Sequence, residues 1–160
     1  MEDISNYDKI KEDAKQYFDQ TGKIPCPAFE NEMVHFTSEG FNHLIYKGSR
    51  RERDKSEQIF RFKLLPLAVK LIKLSAVFQE MEESIQEFRI KKHKKIVHES
   101  KPVKYWGMIG ILDNRKIKVI IRQIGENGQK HFWSVIPAWV TNKYRDIKFA
   151  STMKGNPLED

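Results

Sequence analysis

KIKVIIRQIGENGQKHFWSVIPAW, residues 116 to 139, reads as two strands joined by a tight turn. Residues 117–124 are rich in β-branched side chains and carry one arginine, Arg122, deep inside the run. Residues 130–136 carry His131, Trp133 and Ser134 among apolar neighbours. Asn127-Gly128 between the runs predicts a type I′ hairpin turn, which needs positive φ at both central positions. With those two residues as the loop, Glu126 faces Gln129 and Arg122 falls opposite Trp133, with His131 two places along on the same face. A three-residue loop with a bulge instead sets Arg122 opposite Phe132 and puts Ser134 on its face. Both registers stay open. In the first, a cation, an imidazole and an indole share one side of a sheet, a suitable floor for a phosphodiester.

Working outward, residues 105–112 read as a further strand, with Asp113-Asn114 as the turn into the hairpin, so the last three strands make an antiparallel meander. Residues 91–104 are strongly basic, hold a Ser-Lys-Pro break and read as a mobile loop. Residues 77–90 fit strand or helix equally. Before them, residues 56–64 look helical, and Pro66 restarts the pattern as the first residue of a second helical segment ending near Leu74. The charged stretch GSRRERDKSEQ suits a loop or the polar start of that helix. Residues 33–37 form a short strand candidate, and Ser38 caps a short helix holding His43 and closed by Gly48. At the amino terminus, residues 3–20 carry Ile4, Tyr7, Ile10, Ala14, Tyr17 and Phe18 at helical spacing, and Gly22 stops them. Pro25 and Pro27 begin an irregular link, and the Gly-Asn-Pro tail is expected to fray. Helices first and sheet later argue an α+β fold. The expected organisation is an N-terminal helix and linker over 1–30, an α+β domain over 31–150 and a tail over 151–160.

The 160 residues suffice for one domain with a real core. No apolar run is long enough to span a membrane and the acidic start does not fit a signal peptide, so a cytoplasmic protein with no membrane partner is expected. The single cysteine, Cys26, excludes an internal disulfide and any multi-cysteine zinc site. Lys+Arg 29 against Asp+Glu 22 gives a formal charge of +7, which favours polyanionic partners, nucleic acid above all.

Metal-free cleavage of RNA needs a group to take the 2′-hydroxyl proton, one to protonate the leaving 5′-oxygen, and a cation for the crowded phosphorane. Histidine suits the first two tasks and arginine the third. Of the five histidines, His93 and His98 lie in the lysine-rich stretch and read as solvated, and His35 as ordinary structure. His43 and His131 are better placed, each bracketed by apolar residues near basic ones, although a structural imidazole is the plainer reading of either. Arg122 inside a strand of isoleucines must meet a carboxylate, with Glu39 or Glu32 the candidates, or face a wet groove. Trp133 reads as core or as a stacking platform. Lys47, Arg50, Arg51 and Arg53 cluster just after His43 and suit backbone phosphates or a solvated face. HExxH, DxD, P-loop and GxGxxG patterns are absent, so neither a metal nor another cofactor is expected.

VHFTSEGFNHLIYKG (34–48), RFKLLPLAVKLI (61–72), KYWGMIGIL (104–112) and VIIRQIGENGQKHFWSVIP (119–137) follow one another in an order that resembles the small nucleases of the barnase–EndoU–colicin–RelE type, in their phage- and toxin-associated branch. The resemblance covers residues 33 to 140. It implies N-terminal helices packed on a small, mainly antiparallel four-stranded sheet, with metal-independent endoribonuclease activity on the open sheet face. Carried across, it implies His43, Arg122, His131 and Ser134 as catalytic residues. The RNA-binding candidates come from the residues themselves: Lys47, Arg50 and Arg51 for backbone phosphates and Trp133 for stacking. The Glu-Arg-His set of barnase itself does not lay directly onto this chain. RNA, as tRNA or ribosome-bound mRNA, is the implied substrate, and an acidic antitoxin or immunity protein the implied partner. Two other functions fit the same residues: a non-catalytic RNA- or ribosome-binding module, and an antitoxin-type adaptor.

Overall fold

A computed structural model describes residues 4–48, 51–137 and 155–160. In chain order, helix α1 (Tyr7–Thr21) leads into strand β1 (Lys23–Cys26), a 3₁₀ turn (Pro27–Phe29) and β2 (Glu32–His35). Helix α2 (Ser38–Ile45), the short strands β3 (Tyr46–Lys47) and β4 (Arg51–Glu52) and helix α3 (Lys55–Leu74) follow. Four long strands complete the series: β5 (Glu80–Lys92), β6 (Lys95–Leu112), β7 (Arg115–Ile124) and β8 (Lys130–Pro137). Among the described residues no helix is long and apolar enough to cross a membrane.

The class is α+β, but the expected four-stranded sheet is not what forms. The main sheet has six strands in the order β1-β2-β8-β7-β6-β5, and β3 and β4 make a separate two-stranded ribbon. Every neighbouring pair in the main sheet is antiparallel except β2 and β8, which run parallel and join Val34 to Lys130 and His35 to His131. The extra strands come from segments with weak signals. Pro25 reads as a break, yet β1 is an edge strand, where a missing N–H costs no ladder bond. Residues 91–104, expected as a loop, are instead the ends of β5 and β6 and the turn between them. β6 first meets β7 at Val103, so the outer parts of β5 and β6 pair only with each other as a projecting two-stranded arm.

Turn chemistry explains the meander. His93-Lys94 (φ 49 and 65) and Asp113-Asn114 (φ 49 and 62) each supply two successive positive φ values, the type I′ requirement. Asn127-Gly128 is not such a turn. The β7–β8 link spans residues 125–129, its positive φ falls at Gly125 (78), and the Gly125 N–H donates to the Pro102 carbonyl at 2.7 Å. Gly128 is needed for closeness instead: a Cβ there would lie 1.9 Å from the Ile124 carbonyl oxygen. The longer loop sets Arg122 directly opposite His131, a register neither expected alternative contained. An irregularity at Ile120/Ile121 then pairs Ile121 with Phe132 and Ile120 with Ser134, leaving Trp133 as the extra, bulged residue.

One sheet face, through Trp106, Met108, Val119, Ile121, Phe132 and Val135, packs on the helices in a single core. α1 belongs to that core through Tyr7, Ala14 and Phe18, and Phe18 meets Phe36, Phe41 and Phe132 edge-on. α3 runs unbroken through Pro66, because its apolar residues are buried on both sides of the proline and tertiary packing outweighs the lost hydrogen bond. The opposite sheet face holds a smaller cluster of Val103, Tyr105, Ile120 and Trp133, and the candidate site.

Candidate functional site

β2 pairs with only the start of β8, and where it stops α2 takes its place beside the strand. Gly40 permits this approach, since a Cβ there would sit 2.2 Å from the Phe132 carbonyl oxygen. The close fit delivers His43 from α2 onto Trp133, ring against ring, with centroids 4.1 Å apart and planes 18° from parallel. The Arg122 guanidinium lies 3.6 Å from the centre of the same indole, and His131 meets it edge-on at 6.3 Å. The two imidazoles and the arginine thus gather around one tryptophan. A groove of about 460 Å³ opens above them, lined by Glu39, Asn42, His43, Tyr46, Gly48, Arg122 and Trp133.

Arg122, 6 % exposed, is held from two sides. Its Nε donates to His131 Nε2 at 2.8 Å, and its Nη2 makes a short ion pair with Glu39, whose own side chain is largely exposed at the groove mouth. Burial lowers the Arg122 pKa, and the Glu39 carboxylate and the Tyr105 phenol oppose that shift. His131 does not line the groove; it stands behind Arg122. Because arginine only donates, His131 Nε2 must be the lone-pair nitrogen, which leaves the proton on Nδ1, facing the Gln129 carbonyl at 3.4 Å.

His43 repeats this arrangement. It is 3 % exposed, and its Nε2 lies 3.4 Å from Arg53 Nη2, again opposite an obligatory donor. Burial first, then the charges of Arg53, Arg61 and Arg122, push its pKa down to about 3. Burial and Arg122 push that of His131 down to about 4. Both rings are therefore neutral at neutral pH, which differs from the protonated-imidazole chemistry that two histidines alone suggest.

Ser134 is fully buried beyond the groove: its hydroxyl accepts from Arg61 Nη1 at 2.9 Å and donates to the Asp160 carbonyl at 2.7 Å. Lys47, half-exposed at the rim, pairs with Glu159 at 3.9 Å. Arg51 is exposed on β4 and does not line the groove. Arg50 lies outside the described residues. Among the described residues no group of three His, Cys, Asp or Glu side chains is placed to hold a metal ion.

Sequence reading passed over Arg61 and treated Arg53 as one member of a charged run. A legible signal existed: Arg53, Glu57 and Arg61 recur at intervals of four, one stripe along a helix. In the structure Arg53 donates from Nε to the His43 carbonyl at 3.1 Å, tying the α3 start to α2. Comparison with models of protein families, with curated proteins and with solved structures finds no match to this chain.

Proposed function

We propose that the groove binds and cleaves RNA by attack of a 2′-hydroxyl on the adjacent phosphorus, without a metal ion. The observation that carries this reading is the buried Arg122 guanidinium stacked on Trp133 at the groove floor, with His43 beside it and Glu39 at the mouth. A guanidinium in a site of low water content is suited to the spread charge of a phosphorane, and an indole to a nucleobase. In the step, the O2′–P bond forms and the P–O5′ bond breaks, leaving a 2′,3′-cyclic phosphate and a 5′-hydroxyl. The Glu39 carboxylate is positioned to take the 2′ proton once the phosphodiester replaces it as the partner of Arg122. His43 gives a proton to the leaving O5′ as the imidazolium, which forms from solvent once a bound phosphate offsets the burial and the three arginine charges that hold its pKa low. His131 acts through Arg122, fixing the fork that it touches. An acidic inhibitor protein would be drawn to the same face.

One observation favours a second reading. With both imidazoles neutral before ligand binds, the groove already suits a non-catalytic RNA-binding module. Purified protein, with and without Arg122→Ala, incubated with single-stranded RNA in EDTA, separates the two. Fragments ending in 2′,3′-cyclic phosphate, lost in the variant and absent with DNA of the same sequence, are expected. RNA bound but intact at every protein concentration leaves the binding module, and loss of cleavage on chelation rejects the metal-free mechanism.

A further inference from the structure

Gly48 and Trp133, which line the groove, are hydrogen-bonded to residues 156–160, and the surface on which that segment lies is unusually charged. Arg53 is 3 % exposed and Arg61 6 %, yet both reach the same oxygen of one half-exposed carboxylate, Glu57, each at 3.1 Å. Two buried guanidiniums sharing one carboxylate oxygen leave positive charge in excess, a costly state unless further acceptors are supplied. Burial, with Arg53 next to it, pushes the Arg61 pKa down to about 10. Among the described residues Arg61 Nε has no hydrogen-bond partner at all, a spare buried donor.

The segment over this floor supplies acceptors. The Asp160 carbonyl receives Arg61 Nη1 and the Ser134 hydroxyl, and the Glu159 carbonyl receives Arg53 Nη1 at 3.2 Å. Pro157 and Leu158 carbonyls receive the Trp133 indole N–H at 2.9 Å and the Gly48 amide at 3.0 Å. The Pro157, Leu158 and Glu159 carbonyls carry no charge, so side-chain charge within the segment comes only from the partly exposed carboxylates of Glu159 and Asp160. Apolar anchoring is slight: within the segment only Pro157 is buried, and Leu158 is exposed. A row of acceptors held mainly by polar bonds exchanges readily for a stronger row of acceptors.

We propose that Arg53, Arg61, Ser134 and the Trp133 indole N–H form a binding site for phosphate groups of a polyanionic ligand, and that residues 156–160 are its displaceable internal occupant. This rests on the groove being RNA-facing and extends it: a strand crossing Arg122 continues over Arg53 and Arg61 only after the segment leaves. The segment then taxes apparent affinity by the fraction of molecules in which it has lifted.

The full-length chain carrying Gly48→Cys and Glu159→Cys tests this: the Gly48 amide bonds the Leu158 carbonyl at 3.0 Å and a Cβ at 48 would lie 3.3 Å from Glu159 Oε1, so positions 48 and 159 are neighbours and an oxidised pair ties the segment down. Cys26 is buried and takes no part, and the reduced form of the same protein controls for strain at Gly48 (φ 61). Affinities for inorganic phosphate and for a short oligouridylate are measured in both redox states. Reduced protein should bind both, and oxidation should weaken each by about tenfold or more. Equal affinities in the two states, or no phosphate binding by the reduced form, overturn the proposal. Phosphate binding that is lost on oxidation, with no oligouridylate binding in either state, keeps the anion site and retires the RNA reading. Should the double variant not fold, the wild-type chain answers by NMR. Phosphate must shift the Trp133 indole N–H and the Gly48 amide together, and binding that leaves either in place refutes displacement.

Discussion

Acidification offers a direct measure of the two arginine-facing histidines. The ordinary imidazole titrates at about 6.5 in an unfolded chain, whereas folding pushes His43 down to about 3 and His131 to about 4. Between those limits the unfolded chain binds more protons than the folded one, so stability falls as pH falls. The loss begins near the unfolded value and is complete only below the folded ones. At pH of about 5 each ring is almost wholly protonated when unfolded and almost wholly neutral when folded, which costs about 2 kcal/mol per histidine and about 4 kcal/mol for the pair. That figure barely depends on the folded values, provided both lie well under 5. Urea unfolding at pH of about 7.5 and 5, on wild type and on His43→Asn, reads it out. The variant loses the stack on Trp133 at both pH values, so only the difference between the two pH values matters. Wild type should lose about 4 kcal/mol and the variant about 2 kcal/mol. If both lose the same amount, His43 is not held neutral and the arginine arrangement around it is wrong.

Arg122→Ala should lower RNA cleavage by about 10²–10³-fold with little change in far-UV circular dichroism; cleavage at the wild-type rate removes Arg122 from the reaction. Gly40→Ala, which forces a methyl against the Phe132 carbonyl, should cost about 1–3 kcal/mol and, by moving α2 off β8, raise the His43 pKa in an NMR titration. Lys118 and Glu80 form a buried pair at 2.6 Å on the site's sheet face. Lys118→Met alone should therefore cost about 3–5 kcal/mol by denaturation, and adding Glu80→Leu should restore most of it; a double variant as unstable as the single would contradict this. RNA affinity should fall steeply as salt rises, and a flat response would favour the adaptor function.

The hairpin of β7 and β8, its partner β6 and the turn at Asp113-Asn114 were all legible, because β-branched runs and turn residues are local properties. Arg122 and His131 were legible as neighbours on one sheet face from strand alternation, whereas His43 was placed beside them only by the family resemblance and reaches them through the packing of α2 on β8. What failed was non-local. Whether Pro25 breaks a strand depends on its having no neighbour on that side, and whether residues 91–104 are loop or strand depends on their pairing with 80–92. The register at Arg122 turned on Gly128 lying against Ile124 and on a bulge at Trp133, neither of which is written in the local pattern. Burial of Arg53 and Arg61 was hidden because charged runs and charged helix positions are usually solvated, and here a distant segment covers them.

The lone parallel pairing, β2 with β8, has a consequence for when the protein becomes complete. Strands β5 to β8 can zip through short local turns, but Val34 must find Lys130 across most of the chain. Such a closure carries a loop-entropy cost and belongs to the slow part of folding. During synthesis α1, α2 and α3 emerge with their apolar faces uncovered and wait for the sheet that will receive them. His43 and Glu39 come from the early half, Arg122 and Trp133 from the late one, so no groove exists until residue 137 has left the ribosome. The groove is therefore assembled only once β8 joins the rest, and stopped-flow refolding should show Trp133 reaching its final environment in the slowest phase.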